Sequence, residues 1–421
     1  MEKRKLEREF NEDRLYEIVK SFSFPRLAGT EGEKKAVELT KKKFNELGFS
    51  NDQIETESFT FSDFYSTTLI KLVAMINLVF LLMIVFFAYV ALWISIFIIV
   101  GLITIISFIL RGLRDPEQPG FWGKYYGTMH DATNVFVKIP SKEMDENVAG
   151  NIVISAHIDS KSQSFRTKFR VILYRIWLFS GIFLGLFFGL YIVLFFQPYQ
   201  VPDIIIELGI WIPTILISFA NIFLMNLNTH NKSKGALDNA SGMAIVFELS
   251  SYFQDHPTDN FNLWFCQYSA EELGTMGSRI FVDNHETLFE QGNIFQLNFD
   301  MVSCRGYKWN RVEYLKSYGV FPRRKIAPKL SKYFEKAAEE EDIEICGFHL
   351  TTGAHTDSVP YHQRNFDSID LVTRGASKYS HTKKDTPDKV DPEVLKEACV
   401  ITRRVILNLD LNFQNNEKVI N

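Results

Sequence analysis

The sequence predicts a mixed α/β domain, with a mostly parallel central sheet flanked by helices, interrupted by four transmembrane helices in two hairpins. Three observations predict it. Short apolar runs rich in branched and aromatic residues alternate with helical patterns, the arrangement of parallel sheets. Two long blocks are almost free of charge, each long enough for two bilayer crossings of ~20 residues. And acidic or imidazole side chains follow directly on three of the apolar runs.

Taken in order, the opening MEKRKLEREFNEDRLYEIVK is densely charged and has no apolar core, so it is not expected to be a cleaved signal. Glu33–Leu47 is amphipathic and reads as an early helix. Leu72–Leu110 holds no charged residue. As one helix it would measure about 58 Å, too long for one crossing, so two helices with a turn near Tyr89 are expected. Asn151–Ala156 (NIVISA) reads as a buried strand. In Ile176–Leu227 the charges are Asp203 and Glu207. A helix over Ile176–Phe196, a turn QPYQVPD with Pro198 and Pro202, and a helix from Leu208 to Leu227 fit that block. Gly181, Gly185 and Gly189 form a small-residue stripe, a face for helix packing or for pairing two copies of the chain. Beyond it come a helix at Met243–Phe253, a strand at Asn262–Tyr268, a helix at Gly277–Asn284, a strand at Ile294–Phe299 and a helix at Lys325–Glu340. The expected domains are an α/β part assembled from residues 1–66, 113–170 and 229–421, with hairpins at 67–112 and 171–228.

Charge sets the orientation. Arg111, Arg114 and Lys124 follow the second span, Lys161 to Arg175 precede the third, and Lys232 and Lys234 follow the fourth. The turns at the other ends carry no Lys or Arg. The expectation is an integral, four-span membrane protein with the α/β domain and both termini in the cytoplasm. The net charge of −4 argues against nucleic acid as a partner. Cys266, Cys304, Cys346 and Cys399 make no CxxC pair, as expected of reduced thiols.

The chemistry lies at the strand ends. The first strand runs into His157-Ile158-Asp159, the second into Glu271-Glu272 and the third into Asp300. Sites in open α/β sheets form outside the carboxyl ends of strands. GALDNASG places Asp238 before a helix, and SHTKKDT offers His381 in a loop before the last one. Each motif alone has an ordinary explanation: a chance HxD, a solvated acidic pair, a helix N-cap, a turn. Together, carboxylates with imidazoles at one rim suit zinc or another first-row divalent metal.

The ordered set HID, GALDNASG, SAEELGTMGS, NFDMV and SHTKKDT resembles family 28 of the metallopeptidases, the co-catalytic two-zinc aminopeptidases and glutamate carboxypeptidase relatives. PRLAGTEGEKKAVELTKKKFNELGF and HTKKDTPDKVDPEVLKEA extend the likeness. The resemblance implies the zinc exopeptidase fold and two zinc ions acting on a peptide substrate. It implies that His157 and Asp300 bind one zinc, Glu272 and His381 the other, and that Asp238 bridges. Glu271 is then the general base, and Asp159 the carboxylate that orients His157. Relatives place a Tyr directly before the last His. Here that position is Ser380, which leaves Tyr379 and Tyr361 as candidates for the oxyanion. His355, in HTD, is a rival ligand.

Because His157 and Asp238 must share one cluster, the intervening block must cross the bilayer an even number of times. Roughly ten residues join the fourth span to Asp238, a reach of at most about 35 Å. A site close to the lipid surface, and peptides made there, are therefore expected. Two rivals share the fold: an inactive receptor or scaffold, and a glutaminyl-cyclase-like acyltransferase.

Overall fold

The computed structural model describes residues 10–113, 115–196, 202–290, 294–351 and 355–413. In chain order the main elements are α1 (Glu12–Phe22), α2 (Glu31–Glu46), β1 (Ile54–Ser62), α3 (Leu69–Val90), α4 (Leu92–Leu110), β2 (Met129–Ile139), β3 (Gly150–His157), α5 (Thr167–Phe196), α6 (Asp203–Met225), α7 (Ser241–Asp255), β4 (Phe261–Tyr268), α8 (Met276–Glu290), β5 (Ile294–Phe299), β6 (Val312–Tyr318), α9 (Pro328–Glu341), β7 (Ile345–Leu350), β8 (Asp367–Leu371) and α10 (Pro392–Leu411). They fall into two compact units. Met1–Phe61, His130–Ser162 and His230–Asn421 form one, and Ser62–Met129 with Gln163–Thr229 the other.

The first unit is the α/β domain. Its sheet runs β1-β2-β4-β3-β5-β8-β6-β7, with the short strand Arg324–Lys325 beside β6, nine strands among the described residues. β3 pairs in parallel with both β4 and β5, and β5 in parallel with β8. Every residue of β3, β4 and β5 is buried, which explains why they read as continuous apolar runs rather than alternating ones. Alternate side chains still go to opposite faces. Ile152 and Ile154 join the larger core with α1, α2, α7 and α10, while Val153 joins a smaller one with Phe281 and Phe289 of α8. Local signals set the helix ends. Asn11 caps α1 by accepting from the Arg14 N–H at 3.0 Å. Asp391 caps α10, with Pro392 at its first position.

One edge of this sheet concentrates the connections. β3, β4, β5 and β8 all end there. β2 runs antiparallel to β4 and so begins there. β1, its hairpin partner, ends there, with Thr60 bonded to Asp131 at 2.7 Å. Ser162, five residues past His157, donates to the His230 carbonyl at 2.8 Å. The chain therefore leaves and re-enters the α/β unit only along the edge that carries His157.

The second unit is helical. Among the described residues four helices have the length and apolar composition to cross a membrane: Phe64–Val90, Leu92–Leu113, Thr167–Phe196 and Asp203–Met225. Phe97, Phe108, Leu186 and Ile215 are each more than 60% exposed, an apolar surface that water does not tolerate. The first turn falls at Ala91, two residues past the expected place, where one extended residue separates α3 from α4. Ser95 donates to the Ile84 carbonyl at 2.8 Å across that hairpin. Of the second turn, Pro198 lies outside the described residues, and so does Arg114.

Two expectations are corrected in this unit. The helical part extends beyond 67–112 and 171–228, because Trp122 stacks on Phe64 and Phe165 and Phe169 pack on Phe223. The glycine stripe is not where the helices pack. A Cβ on Gly181, Gly185 or Gly189 would meet no atom within 4 Å. The close approach of α5 to α6 is made instead at Gly209, where a Cβ would fall 2.1 Å from the Phe187 ring.

Candidate metal centre

The strand ends bring the expected residues together. His157 is the last residue of β3 and sits in register with Tyr268, the last of β4. Glu271 and Glu272 follow that strand, and Asp300 follows β5. The backbone around them is unusual. Ala270, Met301 and His381 all have φ near +57° to +58°, a left-handed conformation that costs an ordinary residue about 1 kcal/mol or more and clusters at functional sites.

Asp238 lies at the centre. Its Oδ1 is 3.3 Å from His157 Nε2, and its Oδ2 is 3.3 Å from His381 Nε2. On the first side, Asp300 Oδ1 is 3.6 Å from His157 Nε2. On the second, Glu272 Oε2 is 3.1 Å from His381 Nε2. Two groups of donor atoms result: His157, Asp238 and Asp300, and Asp238, Glu272 and His381, with all atoms of a group within 4.8 Å of one another. Ligand atoms at about 2.0–2.1 Å around a tetrahedral zinc stand about 3.3 Å apart, so the spacings and the donor chemistry fit zinc. His157 Nε2 and Asp300 Oδ1 are buried without a hydrogen-bond partner, as ligand atoms in want of a cation would be. His355 belongs to neither group.

Glu271 stands apart. Its Oε2 is 3.9 Å from His157 Nε2, and it is in neither donor group. Burial pushes its carboxyl well above the ordinary range. Burial likewise raises Asp238. For Glu272 burial acts in the same sense, but the charges of His381 and Lys161 outweigh it and hold the carboxyl well below its usual value. His157 is the converse case. Burial would lower it, and the charge of Glu271, together with the carboxylates of Asp159, Asp238 and Asp300 placed around its ring nitrogens, holds it well above its usual value.

The supporting residues act mainly through backbone groups. Asp159 places its carbonyl 3.1 Å and its Oδ1 3.5 Å from His157 Nδ1. The same carboxylate accepts the amide N–H groups of Glu271 and Glu272 at 3.1 and 3.2 Å. Asp385 accepts those of Leu237 and Asp238 at 2.6 and 3.2 Å. Asn239 donates to the Phe299 carbonyl at 2.7 Å and accepts from Met301 N–H at 3.3 Å, which ties the Asp238 turn to the strand end at Asp300. Arg26, fully buried, donates to the carbonyls of Ile158, Lys234 and Gly235, and so joins the His157 loop to the Asp238 turn. Burial lowers its guanidinium to about 10, still charged at neutral pH.

Sequence reading pointed to neither Arg26 nor Asn239 as part of the site. Asp385 appeared only as part of the SHTKKDT motif, and Lys161 only as one of the positive charges that precede the third span. Asp357, of the HTDS loop, is also buried here, and burial raises its carboxyl to about 7. Tyr361 is corrected. It is fully buried in the smaller core, and its hydroxyl lies 2.8 Å from that of Tyr268, so its phenol does not face a substrate. Tyr379 is half-buried at the start of the His381 loop.

Residues 224–406 match the profile of Peptidase family M28. Aminopeptidase YwaD of Bacillus subtilis (strain 168) is 28% identical over 171 residues, 39% of this chain and 36% of that protein. The chain thus spans about a third of the length of that curated relative. Among solved structures, BSAP, a zinc aminopeptidase from Bacillus subtilis, superposes with a TM-score of 0.54 at 14% identity, covering 95% of both chains. A glutaminyl cyclase from an Acidobacteriales bacterium does so with a TM-score of 0.53 at 15% identity, covering 96% of each. At such identity these likenesses establish the fold. The fold, the ordered motifs and the profile match over residues 224–406 together make the chain similar to peptidase family M28.

Proposed function

We propose that the protein is a membrane-anchored, zinc-dependent exopeptidase of the aminopeptidase type. The observation that carries this is the split face of Asp238, whose two oxygens address two separate imidazoles at 3.3 Å each. His157 and Asp300 would hold one zinc, Glu272 and His381 the second, and Asp238 would bridge them. Zinc bound there would polarise the scissile carbonyl and make a water acidic enough to attack it.

The chain's own residues do the rest. Glu271, free of both donor groups, takes the proton of the attacking water and passes it to the leaving nitrogen. A carboxyl lifted by burial is suited to both halves of that transfer. Asp159 fixes the His157 ring and the backbone of Glu271 together, so base and ligand keep their spacing. Tyr379 is the remaining side chain for the oxyanion.

The four apolar helices would cross the bilayer as two hairpins, which keeps every ligand on one side, and the flanking lysines and arginines favour the cytoplasm. Every exit from the catalytic unit lies along the edge bearing His157, which supports short peptides made at or released from the membrane as substrates. The glutaminyl-cyclase reading rests on fold alone. A scaffold reading is disfavoured by the complete donor set.

The test is zinc quantification on the full-length protein in detergent, with hydrolysis of one peptide in free, N-acetylated and C-amidated forms. Zinc in the protein, with cleavage that requires the free amino terminus, is the expected result. Ring closure of an N-terminal Gln peptide without hydrolysis would favour the cyclase. Metal-free, inert protein would end the reading.

A further inference from the structure

Lys161 lies four residues past His157 and wraps around Glu272. Its amide N–H donates to Glu272 Oε1 at 3.1 Å, and its ammonium donates to the Glu272 carbonyl at 2.7 Å. The same ammonium is 2.8 Å from Glu272 Oε2, the oxygen that faces His381 Nε2 at 3.1 Å. One donor group is thus already engaged by a fixed positive charge on one of its own donor atoms. The other group differs: His157 Nε2 and Asp300 Oδ1 are buried with no hydrogen-bond partner.

We propose that Lys161 makes the two zinc positions unequal, so that the position at Asp238, Glu272 and His381 binds zinc more weakly and exchanges it, while the position at His157, Asp238 and Asp300 holds it. The inference rests on the two-zinc reading above. A divalent cation entering the second position meets an ammonium on the Glu272 oxygen it needs. It must share that oxygen or displace the charge, and at such range two cations repel strongly in a buried setting. Displacement has a route, because the ammonium already holds the Glu272 carbonyl and can keep that bond while it leaves Oε2. Lys161 therefore lowers occupancy without abolishing it. The protein would carry one ion when free zinc is scarce and two when it is plentiful.

The experiment is a zinc titration of the full-length protein in detergent against a chelator buffer, read as bound zinc per chain, for wild type, Lys161→Met and Lys161→Arg. Wild type is expected to fill in two steps at least about tenfold apart in Kd. Lys161→Met should tighten the weaker step by about tenfold or more and leave the stronger one unchanged. Lys161→Arg, which keeps the charge, should retain the gap. His381→Ala should remove the weaker step and His157→Ala the stronger. Thermal unfolding of each variant confirms that it is folded, and Lys161→Gln replaces Lys161→Met if that variant is not. Two equal steps in wild type, or an unchanged weaker step in the folded neutral variants, overturns the inference and leaves the two-zinc reading standing. No bound zinc in any form overturns both.

Discussion

Asp159 and Asp385 grip the chain in the same way. Each buried carboxylate spends its two oxygens on the amide N–H groups of two consecutive residues, Glu271 and Glu272 for Asp159, Leu237 and Asp238 for Asp385. Three of the four residues so held are proposed ligands or the proposed base. Carboxylates fix these side chains by fixing the backbone beneath them, a stiffer constraint than a contact to the side chain itself.

Asp385→Asn should therefore weaken zinc binding without contacting zinc. An amide group has one acceptor oxygen, and its NH₂ would confront the second N–H. A loss of about 10–100-fold in zinc affinity is expected, the usual effect of removing a residue that orients a ligand. Competition against a chelator measures it, and unaltered affinity would show that the Asp238 turn holds itself.

Glu271→Gln should separate metal binding from turnover. The residue lies outside both donor groups, so bound zinc should be unchanged. Peptide hydrolysis should fall by about 10²–10⁴-fold, the range for a lost general base. Zinc content and rate are measured on the same preparation. A drop in both would make Glu271 a ligand.

The pH dependence of stability should report Glu33. This buried residue of α2 accepts from Ser269 Oγ at 2.8 Å and from Thr133 N–H at 3.2 Å, and burial raises its carboxyl to about 7. The folded value lies above the unfolded one. Its contribution to stability is thus fully present below about 4.5 and is lost as pH rises through about 7. Glu33→Gln keeps an acceptor and removes the charge. It should unfold at a higher temperature than wild type above pH 7, by roughly 1–3 kcal/mol at most, and differ little at pH 4.5. Parallel melting curves across that range would refute this.

Gly242→Ala should damage the fold beside the site. A Cβ there would lie 2.4 Å from the Phe299 carbonyl oxygen and 2.5 Å from Asn239 Oδ1. One of these is backbone and cannot turn aside, so α7 must shift from the strand end that carries Asp300. A loss of about 1–3 kcal/mol is expected, seen in denaturant unfolding, together with weaker zinc binding. Wild-type stability would mean the helix moves freely.

What sequence reading reaches here depends on how local the cause is. The strands Gly150–His157, Phe261–Tyr268 and Ile294–Phe299 were legible because buried parallel strands are apolar throughout, and because chemistry follows each directly. The outer strands β1, β2, β6, β7 and β8 were not assigned, since several carry polar residues in a pattern without a clear period. Arg26 and Asn239 were hidden because they act on carbonyls and amides contributed by distant segments, which leave no trace in side-chain spacing. Tyr361 misled because it lies close in sequence to the HTDS loop while its ring turns into the core. The 113–129 segment looked like part of the α/β domain, yet Trp122 packs on Phe64.

The order of the elements also has a consequence in time. His157 leaves the ribosome first among the proposed ligands. Two long apolar helices, Thr167–Phe196 and Asp203–Met225, must then be made before Asp238 emerges. His381 follows last among the proposed ligands, well after both helices. A nascent chain thus carries these apolar segments well before it owns the full set of proposed metal donors, so on the proposed reading a half-made product would have no competent site with which to cut its neighbours.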